Sequence, residues 1–263
     1  MQHISLLADL GNTTIKFRPA TPDRLLGKTH AAPTRKPDQW ADAARRALGS
    51  VPPHEAAREP GAAFPRPLLL AAASVVPGSV EHLRAVARIL ETPCRLVPGE
   101  LPLDIENQYA RPDEVGADRL TVAYAARRLS DASRLIVLDF GTATTFDCVR
   151  DNAYLGGLIC PGVRSSIRSF TEDTAQLPRP SLEVDPTGLH IGISTMDSLN
   201  QGVVFGFAAM AEGLIRRLET ALGGPALVLA TGGYARHIAP VCPAITDVRP
   251  DLVLEGLRLA LPE

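Results

Sequence analysis

Short apolar runs alternate along the chain with segments in which apolar residues recur every three or four positions. Residues 4–10 form one such run, which ends at Gly11, and the apolar pattern resumes at 14–17. This arrangement predicts two strands joined by a tight turn. Further strands are predicted at 68–76, 94–97, 135–138, 144–149, 154–160 and 226–230.

Helical periodicity fills most of the remaining chain. In 38–48, for example, Trp40, Ala43, Ala44 and Leu48 lie on one helical face. Five prolines between residues 51 and 67 predict a surface loop or short linker. Alternating strands and helices predict an α/β fold with a largely buried sheet in each half. The predicted helices span 38–48, 80–90, 116–129, 195–222 and 251–261.

An internal repeat is the most informative feature of the sequence. The segments ISLLADLGNTT (4–14) and RLIVLDFGTATT (134–145) are both apolar strands that end in an aspartate, one apolar residue, a glycine and small polar residues. Asp9 and Asp139 are 130 positions apart, close to half of the 263 residues. The spacing predicts two structurally similar halves.

Both turns have the residue types that a phosphate site needs. Glycine lets the backbone approach a phosphate closely, and turn N–H groups donate hydrogen bonds to its oxygens. An aspartate at a strand end can hold a cation that offsets phosphate charge. A structural hairpin alone is the alternative for one such turn, but two matched copies favour phosphate binding. The hydroxyls expected to donate are those of Thr13, Thr14, Thr142, Thr144 and Thr145.

Composition adds several exclusions. The net charge of −2 gives no electrostatic reason to expect a nucleic acid partner. No apolar run reaches about eighteen residues, and the first twelve residues lack the basic start of a signal peptide. Four scattered cysteines without a CxxC pair predict reduced thiols, not a zinc site or a disulfide framework. A cytoplasmic protein that acts without membrane or nucleic acid is expected.

Several motifs, in their order along the chain, resemble those of the type III pantothenate kinase family. This family belongs to the acetate kinase, sugar kinase, Hsp70 and actin superfamily. The resemblance implies a duplicated ribonuclease H-like (actin-like ATPase) fold, in which two similar domains hold mixed sheets flanked by helices. The expected domains are 1–116 and 117–263. The motifs are DLGNTTIK (9–16), ASVVP (73–77), YARPDEVGADR (109–119), DFGTATTFD (139–147), GGLICPG (156–162), ST (194–195) and ATGGYA (230–235).

The resemblance implies transfer of the ATP γ-phosphoryl group to pantothenate, the first step toward coenzyme A. It assigns Asp9 to the Mg²⁺ and phosphates, Thr142 to ATP, and Asp139 to a monovalent cation, K⁺ or NH₄⁺. Lys16 either reaches a terminal phosphate or is a solvated strand lysine. The implied first ATP loop comprises Asp9, Leu10, Gly11, Asn12, Thr13, Thr14, Ile15 and Lys16.

The VGADR segment carries the implied acceptor site. Asp118 falls in the first turn of a predicted helix, where a carboxylate suits the helix dipole even without a catalytic role. Phosphoryl transfer to an alcohol needs a carboxylate near the attacking hydroxyl, and the resemblance assigns that general base to Asp118. Arg119 would pair with the pantothenate carboxylate, or be only a surface partner of Asp118. The implied substrate-binding residues are Tyr109, Gly116, Ala117, Asp118, Arg119 and Thr195.

Three later segments are open to two interpretations each. Thr195 is a candidate N-cap of the long helix, and the resemblance implies that it reaches the pantothenate site of a partner subunit in a homodimer. The glycines of GGLICPG either approach substrate or form a tight structural turn. The TGG of ATGGYA borders an adenine in the superfamily, but alone it is weak. Asp147 is interpreted as a strand-edge charge without a catalytic role.

Two other functional classes stay open from sequence alone. A related phosphotransferase or phosphatase, such as an acetate kinase or exopolyphosphatase relative, would share the aspartate turns but would not need VGADR. A non-catalytic accessory or regulatory protein would keep the fold and lose the activity. The presence of Asp9, Asp118, Arg119, Asp139 and Thr142 argues against that loss.

Overall fold

The structure is a computed structural model that describes residues 3–55, 63–172 and 177–262. Its strands are β1 (Ser5–Leu10), β2 (Thr14–Ala20), β3 (His30–Pro33), β4 (Leu70–Ser74), β5 (Cys94–Leu96), β6 (Glu106–Asn107), β7 (Arg134–Phe140), β8 (Ala143–Arg150), β9 (Ala153–Pro161), β10 (Leu227–Thr231) and β11 (Asp247–Val248). Its helices are α1 (Trp40–Gly49), α2 (Val80–Ile89), α3 (Ala117–Arg128), α4 (Val163–Glu172), α5 (Thr195–Leu222), α6 (Ala235–Ile238) and α7 (Leu252–Leu259).

Two compact units make up the fold, and each is discontinuous in sequence. Unit 1 comprises Met1–Ile105, Ala110–Arg128 and Leu252–Glu263, and unit 2 comprises Glu106–Tyr109 and Leu129–Asp251. These units do not follow the expected division between residues 116 and 117. Helix α3 belongs to unit 1 because it packs against α7 and β4 of that unit.

The sheet of unit 1 has the order β3-β2-β1-β4-β5. Strands β1, β2 and β3 are antiparallel neighbours, whereas β4 is parallel to β1 and β5 is parallel to β4. Leu6, Ala8 and Leu10 of β1 pack in one core with α1 and α2. Leu7 points to the other face, where it is fully buried and where α7 packs against β1. Both faces of this sheet are therefore covered.

The sheet of unit 2 has the order β11-β10-β7-β8-β9-β6. Strands β7, β8 and β9 form an antiparallel meander, while β10 is parallel to β7 and β11 is parallel to β10. Its core includes Val204, Ala211 and Ile215 of α5 together with Val163 of α4. Helix α5 ends at Gly223, whose φ of 80° gives the left-handed cap that glycine adopts without strain.

The two sheets repeat one topology. In each, a three-stranded antiparallel meander is followed by two parallel strands, added beside the first strand of the meander. Unit 2 carries β6 in addition, paired parallel to β9. The predicted duplicated α/β fold is confirmed by this correspondence.

Every predicted strand and helix has a counterpart, with ends displaced by a few residues, and α5 matches the predicted 195–222. The short elements β3, β6 and β11 and helices α4 and α6 were not delimited from sequence. Ser194, not Thr195, is the N-cap of α5, since its hydroxyl accepts from the Asp197 N–H at 3.2 Å. The loop predicted at 51–67 lies partly outside the described residues, because 56–62 are not described.

Two predicted absences concern the membrane and the cysteines. Among the helices that the structure describes, none combines the length and apolar character needed to cross a membrane. Cys94, Cys148, Cys160 and Cys242 are free thiols. Burial raises the pKa of the Cys94 and Cys242 thiols to about 11, so both are protonated at neutral pH.

Candidate active site

The first aspartate turn joins β1 to β2 in unit 1. The Gly11 N–H donates to the Thr14 carbonyl at 3.1 Å and closes the hairpin. Asn12 and Thr14 are exposed on the turn, as a phosphate site would require. Leu10 and Ile15 are no more than 1% exposed, so their side chains belong to the core and only their backbone is available to a nucleotide.

Thr34, directly after β3, holds this turn in place. Its hydroxyl donates to the Gly11 carbonyl at 2.7 Å, and its N–H donates to the Thr13 carbonyl at 3.0 Å. Thr34 is 8% exposed. It was missed from sequence because β3 has no apolar alternation to mark it as a third strand. The turn is thus held by hydrogen bonds from Thr34.

Asp9 and Lys16 face each other across the hairpin. They are register partners in β1 and β2, and Lys16 Nζ lies 3.5 Å from Asp9 Oδ2. The Asp9 side chain is 14% exposed and the Lys16 side chain 37% exposed. The ammonium therefore lies at the surface end of a partly buried carboxylate. Lys16 is therefore not simply a solvated strand lysine, because it forms an ion pair with Asp9.

Asp118 lies at the start of α3 in unit 1. Its Oδ1 accepts from the Arg119 N–H at 2.7 Å, so the carboxylate folds back onto the helix N-terminus. A Cβ on Gly116 would lie 2.6 Å from that same oxygen, so a side chain there would displace the carboxylate. Ala117 and Arg119 are each 9% exposed, so the interpretation of Arg119 as a surface partner is wrong.

The pKa of Asp118 is raised above its ordinary value of 3.8. Burial is the main cause, and the negative charge of Asp9 acts in the same direction. The hydrogen bond from the Arg119 N–H and the positive charge of Arg119 oppose the increase. Unit 1 thus brings two carboxylates within electrostatic reach of each other. A carboxylate with a raised pKa is a stronger base than an exposed one.

Helix α7 supports α3 from behind. A Cβ on Gly256 would lie 2.6 Å from the Thr121 carbonyl oxygen, so the two helices meet at van der Waals distance. The Tyr124 hydroxyl donates to the Leu259 carbonyl at 3.0 Å. Because α7 also packs against β1 and β4, α3 is fixed relative to the strand that carries Asp9.

The second aspartate turn joins β7 to β8 in unit 2. Asp139 pairs with Thr231 of β10 on one side and with Thr145 of β8 on the other. The Gly141 N–H donates to the Ala143 carbonyl at 3.0 Å and closes this turn, which is one residue shorter than the first. Thr142 is exposed at its tip.

Two glycines form a cradle beside the Asp139 carboxylate. A Cβ on Gly141 would lie 3.2 Å from Asp139 Oδ1, and a Cβ on Gly232 would clash with the same oxygen. Gly232 has a φ of 90°, a conformation that side chains other than glycine rarely adopt. The TGG segment thus brings its backbone against the Asp139 carboxylate and the Phe140 backbone, where only glycine is accommodated.

Other predicted phosphate donors are not available. Thr144 is fully buried, and the Thr145 hydroxyl donates to Asp147 Oδ2 at 3.1 Å, so the prediction that both face a phosphate is wrong. The glycines of GGLICPG are also explained by packing. A Cβ on Gly157 would clash with the Phe146 carbonyl, and one on Gly162 with the Thr142 carbonyl. Gly162 thereby holds the second turn, together with the Ser165 hydroxyl, which donates to the Thr142 carbonyl at 2.6 Å.

Asp147 is not the strand-edge charge expected from sequence. It lies in the middle of β8 with neighbours on both sides, and it is 0% exposed. The Tyr154 hydroxyl donates to its Oδ1 at 3.0 Å. An aspartate between Phe146 and Cys148, followed by a tyrosine in the next strand, was the signal that could have identified it.

The remaining predicted residues belong to unit 2. Tyr109 is partly buried, and its ring lies beside that of Tyr154 with centroids 6.3 Å apart. Thr195 is exposed at the first position of α5. It lines a shallow depression of about 590 Å³ with Ile193 and Ser198.

Among the described residues, no group of three or more His, Cys, Asp or Glu side chains is arranged to hold a metal ion. A carboxylate-only metal cage is thus not a feature of either turn. Mg²⁺ is commonly held by one or two carboxylates together with substrate phosphates and water, and Asp9 meets that requirement.

Structural comparison identifies the class. The fold resembles a ROK family glucokinase from Streptomyces griseus in complex with glucose and AMPPNP, with a TM-score of 0.52, 13% identity and 98% of each chain covered. It also resembles a conserved putative Baf family transcriptional activator from Campylobacter jejuni, with a TM-score of 0.61, 18% identity, and 97% of this chain and 96% of that chain covered. With two sheets of one topology, each with an aspartate turn, the protein has the actin-like ATPase fold that sugar kinases share.

Sequence comparison then gives the family. A family model described as type III pantothenate kinase matches residues 5–217. The type III pantothenate kinase of Nitratidesulfovibrio vulgaris strain Miyazaki F is 48% identical over 98% of this chain and 96% of its own. A type III pantothenate kinase of Thermus thermophilus is 35% identical over 96% of both chains. The chain belongs to the type III pantothenate kinase family.

Proposed function

We propose that the protein transfers the γ-phosphoryl group of ATP to pantothenate, giving 4′-phosphopantothenate, with Asp118 as the general base. Family membership supports the reaction. The observation that supports the base is the partly buried Asp118 carboxylate at the α3 N-terminus, whose pKa is raised by burial and by Asp9. Such a group accepts the hydroxyl proton as the hydroxyl oxygen bonds to the γ-phosphorus and the bond from that phosphorus to the β–γ bridging oxygen breaks, so that ADP leaves. The carboxyl group then releases the proton to solvent.

The first turn is proposed to bind the ATP phosphates. Its exposed Asn12 and Thr14 side chains and its backbone N–H groups are hydrogen-bond donors of the kind that phosphate oxygens accept. Lys16 adds a positive charge 3.5 Å from Asp9. Mg²⁺ would neutralise phosphate charge, and Asp9 is the residue that would hold it. The rigid support from Thr34 means that the turn needs little rearrangement on binding.

Arg119 and Tyr109 are proposed to recognise pantothenate. Arg119 is 9% exposed and directly follows the proposed base in the chain, and its planar guanidinium suits a substrate carboxylate. Gly116 and Ala117 complete that part of the site by leaving room around Asp118. Tyr109 offers an apolar ring face and a hydroxyl to a ligand that carries methyl and amide groups.

The second turn is proposed to hold K⁺ or NH₄⁺ at Asp139 and to contact ATP through Thr142. The support is the cradle of Gly141 and Gly232 beside the Asp139 carboxylate, together with the exposed Thr142. The cation would offset negative charge on the nucleotide. Protein groups alone fix this geometry, because Gly162 and Ser165 hold the Thr142 carbonyl.

A homodimer in which Thr195 serves the partner's acceptor site is also proposed. The segment before α5 exposes Leu189, Ile191 and Ile193 by 66%, 90% and 94%. Exposed aliphatic residues next to a residue with a predicted binding role are typical of an interface. Asp197 holds this segment, since it accepts from the Ile193 N–H at 3.1 Å and pairs with His190. The cytoplasmic location expected from sequence remains a prediction.

The test of the reaction is phosphorylation of pantothenate with ATP and Mg²⁺, in K⁺ and in Na⁺ buffers. We expect turnover of pantothenate that is stimulated by K⁺ and is absent with acetate or polyphosphate. Turnover of acetate or polyphosphate alone would favour a related phosphotransferase. No turnover of any acceptor by folded protein would contradict the kinase proposal and favour an accessory role.

A further inference from the structure

A fully buried carboxylate lies behind the aromatic residue proposed to bind pantothenate. Asp147 is 0% exposed in the centre of the unit 2 sheet. Its Oδ1 accepts from the Tyr154 hydroxyl at 3.0 Å and its Oδ2 accepts from the Thr145 hydroxyl at 3.1 Å. Burying a carboxylate costs free energy even when it is hydrogen-bonded, and an apolar residue would serve packing better. The position of this charge therefore calls for a reason other than stability.

The Tyr154 side chain connects that carboxylate to Tyr109. The two rings have centroids 6.3 Å apart and planes inclined by 28°, within the range of favourable aromatic pairs. The residue before Tyr109 is also joined to Tyr154, since the Gln108 N–H donates to the Tyr154 carbonyl at 2.9 Å. The Tyr109 N–H donates to Asn107 Oδ1 at 3.1 Å. Tyr154 is thus fixed at its hydroxyl and stacks beside Tyr109 at its ring.

Gly156 is the second residue that packs against the Tyr109 ring. It has a φ of 106°, and a Cβ there would lie 3.0 Å from both Cδ2 and Cε2 of Tyr109. The pairing of β8 with β9 shifts register between Cys148 and Val149, opposite this glycine. The ring therefore lies directly over backbone from which a side chain is absent. Tyr109 itself is only partly buried, so part of its surface is available to a ligand.

We propose that Asp147, Tyr154 and Gly156 are positioning residues that fix the Tyr109 ring for the acceptor substrate. None of the three touches the reacting atoms. Asp147 orients Tyr154, Tyr154 holds one side of the Tyr109 ring, and Gly156 leaves the space that the ring occupies. The proposal rests on the proposed function, because it assumes that Tyr109 binds pantothenate.

The first test is Tyr154→Phe, which keeps the ring and removes the hydroxyl that Asp147 holds. We expect the pantothenate KM to rise by roughly three- to tenfold, the effect of one lost buried hydrogen bond. The ATP KM and kcat should stay within about twofold of the values for the unmodified protein, because Tyr154 lies in β9 and not in the proposed phosphate-binding turns or in α3, which carries the proposed base. A merely structural role would lower stability and leave both KM values unchanged, which would overturn the proposal.

The second test uses Gly156→Ala, Tyr109→Ala and the double variant. Gly156→Ala displaces the ring and should raise the pantothenate KM, whereas in the Tyr109→Ala background it should raise KM no further. The matched control is Gly223→Ala, which imposes similar backbone strain at a φ of 80° but meets no atom within 4 Å of the new Cβ. Its pantothenate KM should equal that of the unmodified protein.

The outcomes separate the two proposals. Independent effects of Gly156→Ala and Tyr109→Ala on the pantothenate KM would overturn the positioning role and leave the function intact. A Tyr109→Ala variant with unchanged pantothenate KM would remove Tyr109 from the acceptor site, and the positioning role would fall with it. Phosphorylation of pantothenate by the unmodified protein, measured alongside, tests the reaction itself.

Discussion

At the residue scale, Asp118 carries a conflict between folding and catalysis. Its carboxylate is kept next to Asp9 and partly out of water, and both effects raise its pKa. A carboxyl group whose pKa is raised on folding binds its proton more tightly in the folded state. Its charged form therefore destabilises the fold once the pH exceeds the ordinary value of 3.8, fully so above the raised value. The base that catalysis needs thus reduces the stability of unit 1.

Asp118→Asn tests this conflict. We expect kcat to fall by roughly 10²- to 10⁴-fold, the usual contribution of a general base. The stability of the variant should be at least that of the unmodified protein at pH 7, and this advantage should disappear toward low pH. Steady-state kinetics at pH 7, and thermal unfolding from neutral pH to below the ordinary value of 3.8, measure both quantities.

Asp113→Asn is the matched control, because it removes the same charge from an exposed position shortly before Asp118 in the chain. It should leave kcat unchanged. A near-normal rate for Asp118→Asn would contradict the general-base assignment. In the unmodified protein, activity should fall as the pH drops through the raised pKa of Asp118, since the base is then protonated.

Gly232 gives a second prediction at the same scale. Gly232→Ala places a Cβ against Asp139 Oδ1 and against the Phe140 backbone, so the carboxylate and the backbone beside it must both move. Stimulation by K⁺ should be lost, as with Asp139→Ala, and stability should fall by about 1–3 kcal/mol because of the positive φ. Rates in K⁺ and Na⁺ measure the effect. Gly233→Ala, whose Cβ would meet no atom within 4 Å, should respond to K⁺ normally; an unchanged response in Asp139→Ala would place the cation elsewhere.

At the element scale, the position of α3 depends on the close approach of α7. Gly256→Ala forces the new methyl group against Thr121 of α3. We expect a loss of about 1–3 kcal/mol in unfolding free energy, typical of an overpacked contact. The turnover rate should fall as well, since α3 carries the proposed base. Chemical denaturation and kinetics of one preparation measure both.

Gly213→Ala in α5 is the control for the helical substitution. Its Cβ would meet no atom within 4 Å. The change should therefore be neutral or should stabilise the helix by up to about 1 kcal/mol. If Gly256→Ala behaved like Gly213→Ala, the tight contact between α3 and α7 would not matter for stability or rate.

Elements with a strong apolar pattern could be predicted from sequence, and those defined by tertiary pairing could not. Strands β1 and β7 end at Asp9 and Asp139, where the apolar pattern stops. Strand β3 has the sequence HAAP and forms because β2 provides a partner, so its own residues carry little signal. Thr34 and its role at the first turn were missed for the same reason.

Site residues could likewise be predicted where a local sequence motif marks them, and not where tertiary pairing defines their environment. Gly116 to Arg119 were predicted because one motif holds them together in sequence. The buried environment of Asp147 comes from β7 and β9 on either side of it, and no local pattern reveals both neighbours. From sequence, Gly157 and Gly162 suited a substrate-binding role and a structural turn equally well. Only the structure shows that a Cβ at either position would clash with backbone atoms, which explains both glycines by packing.

At the scale of the whole molecule, one sheet topology occurs twice and carries one aspartate turn in each copy. The two aspartate turns differ at the residue that faces the aspartate across the hairpin. The first turn has Lys16 opposite its aspartate, while the second has Thr145 at that register position. The first turn thus has the positively charged Lys16 side chain beside its aspartate. The second has the glycine cradle beside Asp139. This difference is consistent with separate proposed roles for Asp9 and Asp139.

The proposed shared site predicts complementation between two inactive variants. Mixed dimers of Asp118→Asn and Thr195→Ala subunits contain one site in which both residues are intact. Random mixing of two-fold dimers should restore about a quarter of normal activity. Activity assays after denaturation and refolding of the mixture measure the recovery. Mixtures that stay as inactive as either variant alone would show that Thr195 does not serve a partner's site.

Helix α7 follows all of unit 2 in the chain, yet it belongs to unit 1. On the ribosome, the strands β1 to β5 emerge first but lack the helix that covers one face of their sheet. Nearly all elements of unit 2 lie within Leu129–Asp251, so they are synthesised before α7. Asp251, the last residue of unit 2, precedes the end of α7 at Leu259 by eight residues. Synthesis at about 5–20 residues per second covers them in about 0.4–1.6 s. The domain translated first is therefore the one completed last, and until then it exposes the apolar sheet face that chaperones recognise.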